Sequence, residues 1–511
     1  MMVSRTHSVA LLGMTGSMVE VEADIGNGLP TLMIIGLPDT ALSDARDRVR
    51  AAAANSGCPL PTSKITVNLS PAALPKHGST FDLSIAMAIL AAAGTISAES
   101  IENVVHLGEL SLDGRLRPMN GVLPAIAAAA AEGFRTFVVP AGNRHEAELV
   151  PGVRIVPVIS VRDAAIHHGA SFEPIPLDVI EGTEARDSSE PHHELADVIG
   201  NDDAVLALVA AAAGGHHIFM LGPPGAGKTM LAMRLPGLLP DLETSAALEV
   251  SSVRSLSGAS VPRSLAVRPP FESPHHTASA AALVGGGSKQ IRPGAAARAS
   301  HGVLFLDEAP EFATSALDAL RQPLESGVIS IHRANAIARF PGRFQLVLAA
   351  NPCPCGQYGT AELNCLCTPN TRRRYLARLS GPLLDRIDIQ VQVRRVTAAQ
   401  LRMGAGETRL TTTAAREHVV EARGRMARRL AATPWRLNSE VLGTWLRTGP
   451  ERLPRGATDA LDRALERGLI TMRGYDRILR VAWTLSDLDG VDRPTADQIG
   501  RALYLRKSLS T

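Results

Sequence analysis

Gly222-Pro223-Pro224-Gly225-Ala226-Gly227-Lys228-Thr229 decides the fold, because the octapeptide fits the pattern G-x-x-x-x-G-K-[ST] in full. It follows the apolar run His217–Leu221 and precedes Met230–Arg234, which suits a helix. Gly225 and Gly227 let the backbone turn so that its N–H groups converge on phosphate oxygens, and the helix N-terminus adds partial positive charge. Lys228 is one of only five lysines in an arginine-rich chain, so its presence at this position is informative. The spacing predicts that Lys228 neutralises the β- and γ-phosphates of ATP and that the Thr229 hydroxyl ligates Mg2+. All eight residues are expected to contact the nucleotide.

Downstream, Val303–Leu306 leads into Asp307 and Glu308. Four apolar residues before two carboxylates describe a buried parallel strand whose C-terminal end opens into the ligand crevice. Asp307 is expected to hold the Mg2+ water shell, and Glu308 to orient and polarise the attacking water. A third apolar strand, Gln345–Ala350, ends in Asn351. The Asn351 amide suits both that water and the γ-phosphate; capping the turn before Pro352 is the alternative. Arg386 stands between Asp385 and Asp388. There it would either reach the γ-phosphate of a neighbouring subunit or pair with one of the two acids. Arg473, Arg477 and Arg480 share a helix face, which lets one reach the phosphates and leaves the others to solvent.

The chain has 511 residues, too many for one core, so several domains are expected. Hydrophobic residues make up 45% and charged residues 20%, the balance of a soluble globular protein. A net charge of +2 gives no global argument for nucleic acid. No apolar run approaches membrane-spanning length and Met1–Val9 lacks a signal-peptide pattern, so a cytoplasmic protein with no membrane partner is expected. Residues 1–170 read as an α/β domain and 171–193 as a Pro-, Glu- and Ser-rich linker, mobile over Glu181–His193. Residues 194–396 read as a second α/β domain, and 397–511 as helical.

Five cysteines in so long a chain are no disulfide framework. Cys353 and Cys355 form one C-x-C pair, Cys365 and Cys367 another, with nine residues between them. Four thiolates suit a closed tetrahedral Zn2+ site, although C-x-C chelates less easily than C-x2-C. Reduced structural thiols and a redox function are the alternatives. Cys58 stands alone and reads as core.

Gly214–His217, Pro274–Ala280, Gly302–Glu308, Asn351–Gly356, Ser380–Asp388 and Arg473–Arg480 together resemble the bacterial magnesium-chelatase-like AAA+ ATPases of the ComM/YifB type. The resemblance covers nearly the whole chain and implies an AAA+ P-loop NTPase with a helical lid, assembled as a homo-hexamer. It implies that Arg386 is a finger acting on the neighbour's nucleotide and that Arg473 is the lid sensor. It also implies a DNA helicase or translocase on single-stranded or branched DNA. Such a motor would promote branch migration in recombination or natural transformation, alongside recombination proteins. A protein-remodelling or chelatase-type motor is the alternative. Arg372–Arg374 and Arg394–Arg395 are basic, and Lys289 with Arg292 lies in a Gly-rich segment that suits a pore loop; a solvated face is the plainer reading.

The N-terminal domain resembles the proteolytic domain of Lon, which implies an S5-type α/β fold. Pro75–Asp82 matches the segment carrying Lon's nucleophile, with Thr80 at the serine position, and Leu123 stands where Lon has its catalytic lysine. A leucine cannot activate a hydroxyl, so peptidase chemistry lacks its base. The expected role is assembly or DNA contact, with Ser79 and Thr80 as helix N-terminal caps.

Overall fold

The computed structural model describes residues 3–507 apart from 37–38, 73, 75, 77–78, 183–192, 288–290, 334–335, 359–364 and 404–408. Most of the expected mobile segment Glu181–His193, Lys289 of the expected pore loop, and Pro75, His77 and Gly78 of the Lon-like run lie outside the described residues. Among the described residues no helix is long and apolar enough to cross a membrane.

The first sheet has seven strands, in the order Thr31–Ile35, Lys64–Ser70, Thr15–Gly26, Ser4–Leu12, Val104–His106, Thr136–Pro140 and Arg154–Val158. Thr15–Gly26 runs antiparallel to both its neighbours, and the remaining pairs are parallel. Helices cover both faces. Phe137 and Val139 pack with Leu123 and Ile126 of helix Val122–Ala131, while Val138 points to the other face and to helix Asp82–Ala92. That second helix is buried from Asp82 to Ala91, as a helix apolar on all sides must be. The strand Ser4–Leu12 has no counterpart in the hydrophobic pattern, because its inward positions include Ser4, Thr6 and Ser8. Ser79 and Thr80 do not cap helix Asp82–Ala92: its N-cap is Phe81, with no side-chain bond, and Ser79 Oγ turns instead to Glu109.

The second sheet has five parallel strands, in the order Phe271–Glu272, Val303–Leu306, Gln345–Ala350, Ile218–Leu221 and Ile389–Gln392. Val303–Leu306 and Gln345–Ala350 are buried at every position, which explains their unbroken apolar reading. Register decides where chemistry gathers: Leu221 pairs with Ala350, and Leu306 with Leu348. The strand ends carrying Gly222, Asp307 and Asn351 therefore open on one edge. The helix after the phosphate loop is short, Lys228–Ala232, and a separate turn, Leu235–Leu238, follows with Pro236 in its first positions.

Helices Thr412–Leu430, Arg455–Glu466, Met472–Asp489 and Ala496–Lys507 form the C-terminal bundle, joined by the shorter Gly443–Thr448. Their apolar faces merge with the P-loop sheet in one core, in which Trp483, Ile478 and Leu485 pack with Ile218 and Val391. Thr411 and Thr471 each cap a helix by accepting a backbone N–H three residues on.

The two α/β units touch. Met14 N donates to Arg339 O at 3.0 Å, in the hairpin Val328–Arg333/Ala336–Pro341 that lies between Glu308 and Asn351 in the chain. Gly121 N donates to Ser255 Oγ at 2.9 Å, and the Ser255 hydroxyl donates in turn to the half-buried Glu146.

Candidate active site and metal centre

The phosphate loop turns through Gly225 and Gly227, whose φ angles of 73° and 95° favour glycine. Lys228, at the first position of the following helix, is buried. Its Nζ donates to Gly222 O at 2.7 Å, Pro223 O at 3.1 Å and Asn351 Oδ1 at 3.1 Å. Burial lowers its pKa, and the nearby Asp307 and Glu308 charges oppose that shift. The ammonium is thus held over the loop by neutral acceptors, each of which a phosphate oxygen can replace.

Thr229 Oγ1 donates to Asp307 Oδ2 at 2.6 Å. A hydroxyl and a carboxylate at this separation are hard oxygen donors of the kind Mg2+ takes, together with nucleotide phosphates and water. Asp307 Oδ1 also accepts the Glu308 backbone N–H at 2.9 Å. Glu308 itself has φ 49°, an uncommon conformation for a residue other than glycine. Strain of that kind is found at functional sites, and here it falls at the end of a buried strand and on a half-exposed carboxylate.

The structure adds one residue to the expected set. His276 Nδ1 lies 3.4 Å from Glu308 Oε2, in a segment between the edge strand Phe271–Glu272 and helix Ala280–Val284. His276 lies in Pro274–Ala280, a stretch that carries the family resemblance, but nothing in that stretch points to Glu308; only the folded sheet brings it beside the carboxylate.

The arginines lie apart from this cluster within the chain. Arg386 pairs with Glu325, not with Asp385 or Asp388, and donates to Pro382 O at 2.5 Å. Arg473 is largely exposed and its guanidinium reaches Asp385 Oδ2 at 3.0 Å. Arg477 NH1 donates to Asp388 Oδ1 at 2.6 Å and to Arg386 O at 3.1 Å, while Arg480 holds Val441 O at 2.7 Å. The helix Met472–Asp489 is thereby clamped to the segment bearing Arg386. Asp388 is buried, and His216 Nδ1 lies 2.9 Å from its Oδ2. Burial alone would raise the Asp388 pKa, but His216, Arg477 and Arg480 together hold it well below the usual carboxylate range. His217, next along, accepts the Leu346 N–H through Nδ1 at 3.0 Å, and burial lowers its pKa to about 4. The His216–His217 pair therefore fastens the P-loop strand to its neighbours on both sides.

The four clustered cysteines converge. Cys353 Sγ lies 3.3 Å from Cys355 Sγ and 3.7 Å from Cys365 Sγ. Cys355 Sγ lies 3.7 Å from Cys365 Sγ and 3.5 Å from Cys367 Sγ, and all four sulfurs fall within 4.8 Å of one another. A disulfide requires about 2.05 Å. A tetrahedron with Zn–S bonds of about 2.3 Å has edges of about 3.8 Å, close to these separations. Cys353 is buried, and the others lie toward the surface. Cys58 is a free, buried core thiol.

Leu123, at the position of Lon's catalytic lysine, is buried in the core, and its N–H donates to Glu146 Oε1 at 3.0 Å. Lys76 is also buried and donates to Pro71 O.

The parallel sheet, phosphate loop and helical lid define an AAA+ P-loop NTPase. Family models agree: residues 194–401 match magnesium chelatase, subunit ChlI, residues 21–143 match subunit ChlI of Mg-chelatase, and residues 409–506 match its C-terminal region. The chain is 40% identical to competence protein ComM of Haemophilus influenzae, over 98% of this chain and 96% of that protein. It is 39% identical to YifB of Escherichia coli, over 99% and 97%, and 48% identical to an uncharacterised protein of Mycobacterium tuberculosis, over 99% of each. The chain belongs to the ComM/YifB family of magnesium-chelatase-like AAA+ proteins. A stretch covering 24% of the chain is also 30% identical to part of the Lon protease of Heliobacterium modesticaldum.

Proposed function

We propose that this chain is the subunit of a homo-hexameric ATP-driven motor that moves on single-stranded or branched DNA and promotes branch migration in recombination or natural transformation. The observation that carries the ATPase reading is the convergence of Lys228, Thr229, Asp307, Glu308 and Asn351 at the carboxyl edge of one parallel sheet. Family membership supports it, since AAA+ modules are ATPases as a class.

Lys228 exchanges its loop carbonyls for β- and γ-phosphate oxygens, and Asn351, freed from Lys228, turns to the γ-phosphate and the attacking water. Thr229 and Asp307 hold Mg2+, which when bound neutralises charge on the phosphates. Glu308 orients the water and takes its proton as the water oxygen bonds to the γ-phosphorus. The bond to the β–γ bridging oxygen breaks, leaving ADP and phosphate. In the ring, Arg386 leaves Glu325 for the nucleotide of the adjacent subunit, and Arg473 leaves Asp385 to sense it. We assign the four cysteines to one structural Zn2+. The division into residues 1–170, 194–396 and 397–511, and a cytoplasmic location, belong to the same reading.

DNA as the moving partner is supported by the resemblance to a competence protein and by the exposed Arg373 and Arg374, beside the partly buried Arg372, on helix Pro369–Leu376. Contact with phosphates along a channel gives steep salt dependence and little sequence preference. The test is ATP hydrolysis by the purified chain with and without forked DNA at low salt. Stimulation by DNA is expected. Neither stimulation nor a gel shift with an ATP analogue would overturn the DNA assignment in favour of a protein substrate.

A further inference from the structure

We propose that the cysteine cluster is a metal-dependent control on the ATPase, its Zn2+ fixing the position of Asn351 against the phosphate loop. The inference rests on the zinc assignment above and gives that metal a role in turnover.

Three contacts carry it. Asn351, whose Oδ1 meets Lys228 Nζ at 3.1 Å, is separated from the buried Cys353 by Pro352 alone. The proline ring fixes its own φ, so a shift of Cys353 passes to Asn351 with little slack. On the strand side Asn351 is held by the fully buried Gln345–Ala350, so the thiolate loop is the adjustable side of its mounting. The second contact is with the phosphate loop itself. The turn closed by Gly356 N donating to Cys353 O at 2.9 Å sets Gly356 at φ 75°, directly against Pro224. A Cβ on Gly356 would lie 2.5 Å and 2.6 Å from Cγ and Cδ of Pro224, so loop and phosphate loop are in van der Waals contact. The third contact is with the basic helix. Tyr358 N donates to Cys353 Sγ at 3.4 Å, and the Arg372 guanidinium stacks 3.6 Å from the Tyr358 ring centroid.

Residues 351–358 thus bear on the phosphate loop, the amide at the γ-phosphate position and an arginine-rich helix, and two of the four converging sulfurs belong to them. Without a metal the sulfurs, 3.3–3.7 Å from one another, are joined by weak thiol hydrogen bonds in place of metal–thiolate bonds, and no pair forms a disulfide. Relaxation of the cluster then displaces Asn351 relative to Lys228. Misplacement by about 1 Å costs catalysis on the order of 10²-fold, while nucleotide affinity, set mainly by the P-loop amides, Lys228 and Thr229, is retained.

The experiment compares the full-length wild type with the Cys365→Ser/Cys367→Ser double variant, which alters the two outer ligands and leaves buried Cys353 in place. Metal content, affinity for a fluorescent ATP analogue and phosphate release are measured on each. The wild type is expected to carry about one zinc per chain, and the variant to lose it and keep its nucleotide affinity. Turnover in the variant is expected to fall by about 10- to 100-fold. Zinc lost with turnover unchanged would overturn the coupling and leave the metal site standing. A wild type prepared without chelator that carries no zinc would overturn both. A Gly356→Ala variant tests the mechanical link with all four thiolates intact. It should retain zinc and lose turnover, and full turnover with zinc bound would refute the contact through Pro224.

Discussion

Where the P-loop sheet ends, Lys228, Thr229, Asp307 and Asn351 are bonded to one another through atoms that a nucleotide and its metal can claim. In the N-terminal unit, residue types equally capable of chemistry are committed to packing. Lys76 is bonded to a backbone carbonyl, Ser79 to Glu109, and Asp82 bidentately to Arg48 at 2.7 Å and 3.0 Å. Burial pushes Asp82 up to about 6 even beside that arginine, a shift that in isolation would suggest catalysis. The difference teaches that a perturbed carboxyl and a nearby hydroxyl do not make a site. What distinguishes the two regions is whether the existing hydrogen bonds can be exchanged for bonds to a ligand in an open crevice. The N-terminal unit instead offers its bonds to the ATPase, through Glu146, Ser255 and Gly121.

Substitutions separate the two regions. Lys228→Ala should have the largest effect, lowering ATP turnover on the order of 10²–10³-fold, as removal of a preorganised charge at the transferring group does; phosphate release assays measure it. His276→Ala should slow turnover by about fivefold, corresponding to a positioning bond worth ~1 kcal/mol, with nucleotide affinity unchanged. Ser255→Ala leaves Gly121 N and the half-buried Glu146 each short of a partner. It should cost about 1–3 kcal/mol in thermal or denaturant unfolding, with turnover per folded chain little changed. Thr80→Ala should leave ATP turnover unchanged, and neither this variant nor the wild type is expected to cleave casein or peptides; cleavage by the wild type that this variant lost would erase the contrast between the regions.

The legible parts of the molecule were those in which chemistry and chain order coincide. The phosphate loop occupies eight consecutive residues, and each of its partner strands is an apolar run ending in a polar side chain, so the placement of Asp307, Glu308 and Asn351 at one sheet edge could be read in sequence. His276 was not legible in its role, because its relation to Glu308 exists only across the sheet. Nor was Glu325 as the partner of Arg386: the two residues are 61 positions apart, while two acids flank the arginine directly. The strand Ser4–Leu12 escaped the hydrophobic pattern because hydroxyls take inward positions that apolar side chains ordinarily fill. Thr6 shows how this is tolerated, its Oγ1 lying 2.8 Å from the buried His106. The C-x-C spacing argued against easy chelation from one pair alone, whereas folding brings both pairs to a common centre.

Glu308→Gln tests the central claim most directly, because it keeps size, strand and backbone while removing only the carboxylate to which we assign the proton from water. Nucleotide affinity and single-turnover hydrolysis are to be measured on the same preparation. Affinity equal to the wild type, with hydrolysis slowed on the order of 10²-fold or more, is the predicted result. Hydrolysis at the wild-type rate in the glutamine variant would contradict the account.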